Sequence, residues 1–337
     1  MTEQLRERAI RNLVSIPILH RVCSSIYAPF SSRAALPDYM APNHVPAPTT
    51  PTSASSPVFV SARFRSGSTL LWQCFQRLAG FTAYYEPFND RRWFDPTIRG
   101  EGVDPSHRGV ADYSSNYDGL TDLASVFDDS WGVRHLSLGA NAKLPNMREY
   151  VDRLIRAARH RPVLQFNRID FRLPYLRQQF PDATFVHLNR NPRDTWLSTL
   201  RGVKNDPDWS LSSFAPFCKF YLLNWYNDLS MSYPSMWRHP AKTHPYELHY
   251  MIHRLSELFA FRDCHYFLSY ESMEKRLEAE MKKLLLHMGD SQVDLSPLEG
   301  LLAPRQTSYD HSEDTGFYQQ VEERVETHLK NWLGAAG

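Results

Sequence analysis

Val58-Phe59-Val60 is a short apolar run, and it leads through Ala62 into Phe64-Arg65-Ser66-Gly67-Ser68-Thr69-Leu70. The spacing predicts a strand over Val58–Ala62, a tight basic turn, and a helix over Ser68–Ala79. Such a turn presents backbone N–H groups, the positive end of a helix dipole, two hydroxyls and a guanidinium to one point, which suits a phosphate or sulfate group. The nucleoside-triphosphate loop has the form G-x-x-x-x-G-K-[ST]. Here Ala62 replaces the first glycine, Ser68 stands at the lysine, and the cation precedes the glycine by two residues. These departures argue against a loop built for the γ-phosphate of ATP.

The rest of the chain fits an α/β protein. Further strands are predicted at Thr82–Tyr85, Val163–Phe166, Thr184–Leu188 and His265–Tyr270. Helices are predicted around Met147–Arg159, at Leu173–Phe180 and from Pro192. Alternation of this kind predicts a P-loop-like central parallel sheet flanked by helices, with a helical C-terminal third. There, Phe214, Phe217, Tyr221, Trp225 and Leu229 recur at helical spacing, as do Leu277, Met281, Leu284, Leu285 and Met288. A last stripe holds Phe317, Val321, Val325, Leu329 and Trp332. All three read as core.

Three segments stand apart. Residues 1–35 begin with a basic amphipathic pattern (Leu5, Ala9, Leu13, Ile16 among Arg6, Arg8 and Arg11), which serves as a docking arm or touches a membrane. Residues 36–57 hold six prolines among Ala, Ser and Thr, which is linker chemistry. The α/β domain is expected over 58–337. Within it, 88–146 is rich in Asp, Gly, Ser and Arg, and is either an acceptor-related insertion or irregular surface.

Charge excludes one broad class. The 38 basic and 37 acidic side chains nearly cancel, so no whole-surface attraction to nucleic acid is expected. Cys23, Cys74, Cys218 and Cys264 lie far apart and read as reduced thiols. No apolar run reaches the roughly 20 residues of a membrane span, and the acidic Glu3 and Glu7 argue against a secretory signal. A cytoplasmic protein is the expectation. No metal-ligand cluster is apparent. His135, His187 and His244 have no pattern marking them as bases, and His187 reads as core.

A second strand–turn–helix junction runs from Phe185-Val186-His187-Leu188 through Asn189-Arg190-Asn191-Pro192-Arg193-Asp194 to Ser198. Pro192 suits the first turn of a helix, so Arg190 falls at the carboxyl end of a strand, where doubly wound sheets bind ligands. Ser198, two turns on, is placed to join Arg190 on one phosphate. Arg193 and Asp194 pair with each other or cap the helix.

Together the two junctions resemble those of sulfotransferases that use 3′-phosphoadenosine 5′-phosphosulfate. Arg65-Ser66-Gly67-Ser68-Thr69 matches the first motif, [RK]-x-G-[ST]-[ST]. Arg190-Asn191-Pro192-Arg193-Asp194, with Ser198 eight residues after Arg190, matches the second. The likeness spans roughly residues 57–290 and is closer to the carbohydrate and bacterial type than to the cytosolic small-phenol type, whose Lys-Thr-His segment is missing. It implies that Arg65, Ser66, Gly67, Ser68 and Thr69 hold the 5′-phosphosulfate and that Arg190 and Ser198 hold the 3′-phosphate. Tyr270, in Leu268-Ser269-Tyr270-Glu271, resembles a family element near the adenine, or is a core tyrosine at a strand end. The product would be 3′,5′-adenosine bisphosphate, with no metal.

On the acceptor side, Glu86 in Tyr84-Tyr85-Glu86-Pro87-Phe88 is similar to the general base of the carbohydrate enzymes; its other reading is a loop anchor. Gln165 stands where those relatives carry a lysine. Arg168, three residues on, either supplies the missing charge or forms a surface salt bridge. The expected activity is sulfuryl transfer to a hydroxyl, on a carbohydrate, glycolipid-like or other small molecule. A P-loop kinase or NTPase, and a non-catalytic nucleotide-binding module of the same fold, remain the alternatives.

Overall fold

The computed structural model describes residues 56–100, 102–200, 202–211, 221–233, 243–301 and 315–336. The N-terminal arm and all but the last two residues of the proline-rich stretch lie outside them, as do Phe214, Phe217, Cys23 and Cys218.

Five parallel strands form one sheet in the order β2-β3-β1-β4-β5. They are β1 (Val58–Ala62), β2 (Phe81–Tyr85), β3 (Arg161–Phe166), β4 (Thr184–Asn189) and β5 (Tyr266–Ser269). Every residue of the first three is buried, as are the first five of β4. Burial on both faces is why these strands read as apolar runs rather than alternating ones. Phe59, at the centre, meets Phe166, Phe180 and Phe185 edge-on at ring separations of 5.9, 5.4 and 5.1 Å.

Strand β1 pairs with β3 on one side (Val58↔Val163) and β4 on the other (Val58↔Thr184). The chain leaves β1 through helix α1 (Ser68–Arg77) toward β2 and later crosses back to β4, so the winding reverses at β1. Such a reversal opens a crevice at the carboxyl ends of the strands. Because all five strands are parallel, Arg63–Gly67, Glu86, Asn167–Arg168, Arg190 and Tyr270 emerge on that single edge.

The predicted strands and helices are present with shifts of a residue or two. The helical layers comprise α2 (Pro145–Ala157), α3 (Leu173–Gln179), α4 (Pro192–Leu200), α5 (Leu222–Ser232), α6 (Pro245–Asp263), α7 (Tyr270–His287) and α8 (Thr315–Ala336). Two expectations need correcting. Tyr221 is not inside a helix: it sits in left-handed backbone (φ 58) at the N-cap of α5, which carries Trp225 and Leu229 of the same stripe. Tyr270 is not the end of a strand, because Ser269 caps a helix there by accepting from Ser272 N–H.

Among its described residues the 88–146 segment has no strand or α-helix before α2, yet it is fixed to the rest of the domain. Fully buried Arg172 donates to the carbonyls of Trp131, Arg134, His135 and Arg168. Burial lowers that guanidinium to about 9. Asp228 of α5 accepts the N–H groups of His135 and Leu136. His187 is core, as its place in β4 suggested. The free thiols Cys74 and Cys264 are buried.

Candidate active site

A cleft of about 900 Å³ runs along the carboxyl edge of the sheet. Its first wall is the β1–α1 loop. Ser66 is fully buried and donates to the Arg63 carbonyl at 2.7 Å, folding the loop on itself. Arg65 (φ 66) and Gly67 (φ 90) are both left-handed. Helix α1 then starts with Gly67 at its N-cap and no side-chain cap. The positive end of the helix therefore faces the cleft with no side chain capping it and no carboxylate in its first turn. Gly67 admits no side chain, since a Cβ would lie 2.1 Å from the Tyr270 ring.

The second wall comes from β4 and α4. Arg190 Nη1 donates to the Arg65 carbonyl at 2.8 Å, and its guanidinium lies 4.5 Å over the Tyr270 ring. Arg65 Nε donates to Ser198 Oγ at 2.8 Å. The two predicted anion motifs are thus in direct contact, and Arg65 reaches both. The expected pairing of Arg193 with Asp194 is not found. Adjacent residues on a helix do not face one another. Arg193 instead bonds Glu322 of α8 through two nitrogens at 2.6 and 2.7 Å. Asn191 caps α4 by accepting the N–H groups of Arg193 and Asp194, while Asp194 lies 3.8 Å from Arg190.

At the other end of the cleft, Glu86 follows β2 with a left-handed backbone (φ 39) and is 6% exposed. Its Oε1 accepts from Asn167 Nδ2 at 2.6 Å; its Oε2 accepts from Asn89 Nδ2 at 2.6 Å and Arg168 Nη1 at 3.0 Å. Arg168 does form a salt bridge, but a buried one, 3% exposed, rather than the surface bridge considered from sequence. Burial works against its charge, but Glu86, with Tyr221 and Asp90 behind it, outweighs that and holds the guanidinium above its ordinary value. The rings of Phe64 and Tyr221 flank the guanidinium at 5.2 and 5.3 Å. Gln165 is fully buried and donates to Asn167 Oδ1 at 2.9 Å, so it supports the amide that holds Glu86.

Backbone strain gathers here. Among the described residues, five non-glycine positions have positive φ, and Arg65, Glu86 and Tyr221 of these line the cleft. Strain held by surrounding contacts is common where side chains must be aimed. Thr69 and Ser68, in the first turn of α1, also line the cleft; Thr69 Oγ1 lies 3.2 Å from Tyr85 Oη and 3.3 Å from His107 Nε2. Burial keeps the Tyr85 phenol well above its ordinary value and hence neutral.

Sequence reasoning missed Asn89, Asn167, Ser106 and His107. Asn89 has a local signal, three residues after Glu86 in the turn Glu-Pro-Phe-Asn, which Asn89 N–H closes on the Glu86 carbonyl at 2.9 Å. The others meet their partners across tens of residues. No group of His, Cys, Asp and Glu among the described residues is arranged to hold a metal ion. None of the described helices is long and apolar enough to cross a membrane.

Fold and cleft define an α/β protein with a parallel five-stranded sheet and two adjoining strand–turn–helix junctions at its switch point. Comparison with known families sharpens this: the Sulfotransferase family matches residues 57–292, more than half of the chain, and the protein belongs to that family. Among solved structures it is similar to sulfotransferase STF9 from Mycobacterium avium, at 14% identity and a TM-score of 0.45, over 84% of this chain and 77% of that one. No curated protein matches.

Proposed function

We propose that the protein moves a sulfuryl group from 3′-phosphoadenosine 5′-phosphosulfate to a hydroxyl on a carbohydrate or glycolipid-like acceptor. The observation that carries this reading is the contact between the two junctions, Arg65 Nε to Ser198 Oγ and Arg190 Nη1 to the Arg65 carbonyl. One loop and one helix end take a 5′-phosphosulfate; an arginine and a serine beside them take a 3′-phosphate, which ATP lacks. Family membership supports the donor class.

In this reading Glu86 accepts the proton of the attacking hydroxyl as its oxygen bonds to sulfur. The bond from sulfur to the 5′-phosphate oxygen breaks, and the electron pair leaves with 3′,5′-adenosine bisphosphate. Arg65 and the first N–H groups of α1 stabilise the charge that collects on the departing phosphate. Arg168 and the two asparagines hold the Glu86 carboxylate in place, with the Tyr85 phenol also bonded to it. Phe64, Trp93 and Tyr221 beside Asn89 and Asp90 give the cleft flat apolar faces and polar edges, which suits a sugar ring.

The test is thermal stabilisation by 3′,5′-adenosine bisphosphate against ATP with magnesium, since a ligand of the native state raises the melting temperature by mass action. The bisphosphate is expected to give the larger shift, and Arg190→Ala to remove most of it. A larger shift with ATP, or an unchanged bisphosphate shift in the variant, overturns the reading.

A further inference from the structure

Three consecutive residues of the 88–146 segment land on the donor loop and its helix. Ser106 Oγ accepts from Arg65 Nη1 at 3.0 Å, His107 Nε2 lies 3.3 Å from Thr69 Oγ1, and the Arg108 carbonyl accepts from Gln73 Nε2 at 3.0 Å. Thr69 and Gln73 are one helical turn apart on α1 and Arg65 lies in the loop just before it, so the segment runs along one side of the loop–helix junction. Ser106 Oγ in turn donates to Asp104 Oδ1 at 2.8 Å, which fixes the hydroxyl with its lone pair toward Arg65.

The histidine is the chemically distinctive member. Its Nδ1 lies 2.5 Å from Tyr113 Oη, and that phenol accepts the Asp104 N–H at 3.0 Å. The phenol oxygen is free to donate its own proton to Nδ1 while it accepts the Asp104 N–H, an arrangement that puts the ring proton on Nε2. Tyr113 is held still, stacked on Tyr85 at 4.3 Å and 13° and packed on Trp93 at 5.1 Å. Burial raises its phenol, so it stays protonated. The imidazole thus has one nitrogen committed to a rigid tyrosine and the other aimed at the first turn of α1, inside the cleft.

We infer that His107 is a third element of the donor site: its Nε2–H binds an oxygen of the 5′-phosphate, alongside Arg65 and the helix end. This rests on the sulfotransferase reading above. A clasp serving only to hold the segment needs no oriented donor at this point, because Ser106 and the Arg108 carbonyl already fasten it. With Tyr113 donating to Nδ1, the Nε2–H stands beside the first turn of α1, where negative charge collects when the sulfuryl group leaves.

The experiment is calorimetric binding to the full chain, with 3′,5′-adenosine bisphosphate and adenosine 3′-monophosphate as probes. For the bisphosphate, His107→Ala is expected to raise Kd about tenfold or more, the usual weight of a hydrogen bond to a charged group. His107→Gln, whose amide carries an N–H to nearly the same place, is expected within about threefold of wild type. The monophosphate, which has no 5′-phosphate, is expected to bind all three alike. Ring nitrogen-15 signals of His107, identified by their loss in the glutamine variant, are expected to move on adding the bisphosphate and stay put with the monophosphate. An unchanged bisphosphate Kd in His107→Ala, equal losses in both variants, or equal losses for both probes overturns the inference while wild-type binding stands. Wild-type protein that ignores the bisphosphate overturns the sulfotransferase reading, and this inference with it.

Discussion

The two ends of the cleft are built from different materials. At the proposed donor end the frame is mostly backbone: a left-handed loop, a helix start without a side-chain cap, and an arginine that donates to a main-chain carbonyl, with Arg65 adding side-chain bonds to Ser198 and Ser106. At the acceptor end, Glu86, Asn89, Asn167 and Arg168 are held by side chains bonding side chains. A site made of backbone is fixed once the sheet forms. A site made of charged side chains depends on every partner, because each one removed leaves another buried without its mate.

The largest expected break in that comparison is Arg168→Met. Removing one member of a buried ion pair strands the other, so a stability loss of about 3–5 kcal/mol is expected by denaturant titration. A change below about 1 kcal/mol would mean that the acceptor end is no more interdependent than the donor end. Next comes acid. His187 in β4 and His249 beneath α4 are lowered by burial to about 4 and about 3, from an ordinary value of 6.5. Above pH 6.5 both folded and unfolded chains hold these rings neutral. Between pH 6.5 and about 4 the unfolded chain takes up protons that the native one refuses, so stability falls as pH drops, by a few kcal/mol. His187→Gln is expected to flatten that slope.

Glu86→Gln is expected to lower sulfate transfer about a hundredfold or more, the scale of losing a general base, with the bisphosphate Kd unchanged. Full turnover in the variant would leave Glu86 an anchor for Arg168. Gly67→Ala imposes left-handed strain worth roughly 1–3 kcal/mol, and its methyl meets the Tyr270 ring; weakened bisphosphate binding is expected. Smallest is Arg193→Ala: its half-buried bond to Glu322 is worth about 1 kcal/mol or less, and donor binding should be untouched.

The same contrast explains what the sequence made legible. The parallel sheet follows from apolar runs alternating with helical periodicity, and both donor junctions from residues close together in the chain. Backbone conformation leaves a local record: Gly67 where φ is 90, Pro192 in the first turn of a helix, and Ser198 at a fixed distance from Arg190. The acceptor end leaves almost none. Asn167 reaches Glu86 across 81 residues with no spacing rule to link them, and the donor loop has one such contact too, Ser106 to Arg65 across 41. Tyr221 fits a helical stripe by spacing alone, yet it stands outside α5 in left-handed backbone, with its phenol donating to Asp90 at 2.7 Å. Periodicity reports which face is buried; it is silent on where a loop folds back.

The Tyr270 ring seated on Gly67 carries a consequence for the order in which the protein becomes competent. That contact joins the start of the domain to the helix that follows its final strand, across about two hundred residues of chain. Contacts so distant in sequence form late, after the closer pairings that prepare them. During synthesis, then, a growing chain that has not yet extended past residue 270 has its first anion loop but no ring to close it. Ligand capture by the cleft therefore reports that the whole sheet has closed, from first strand to last.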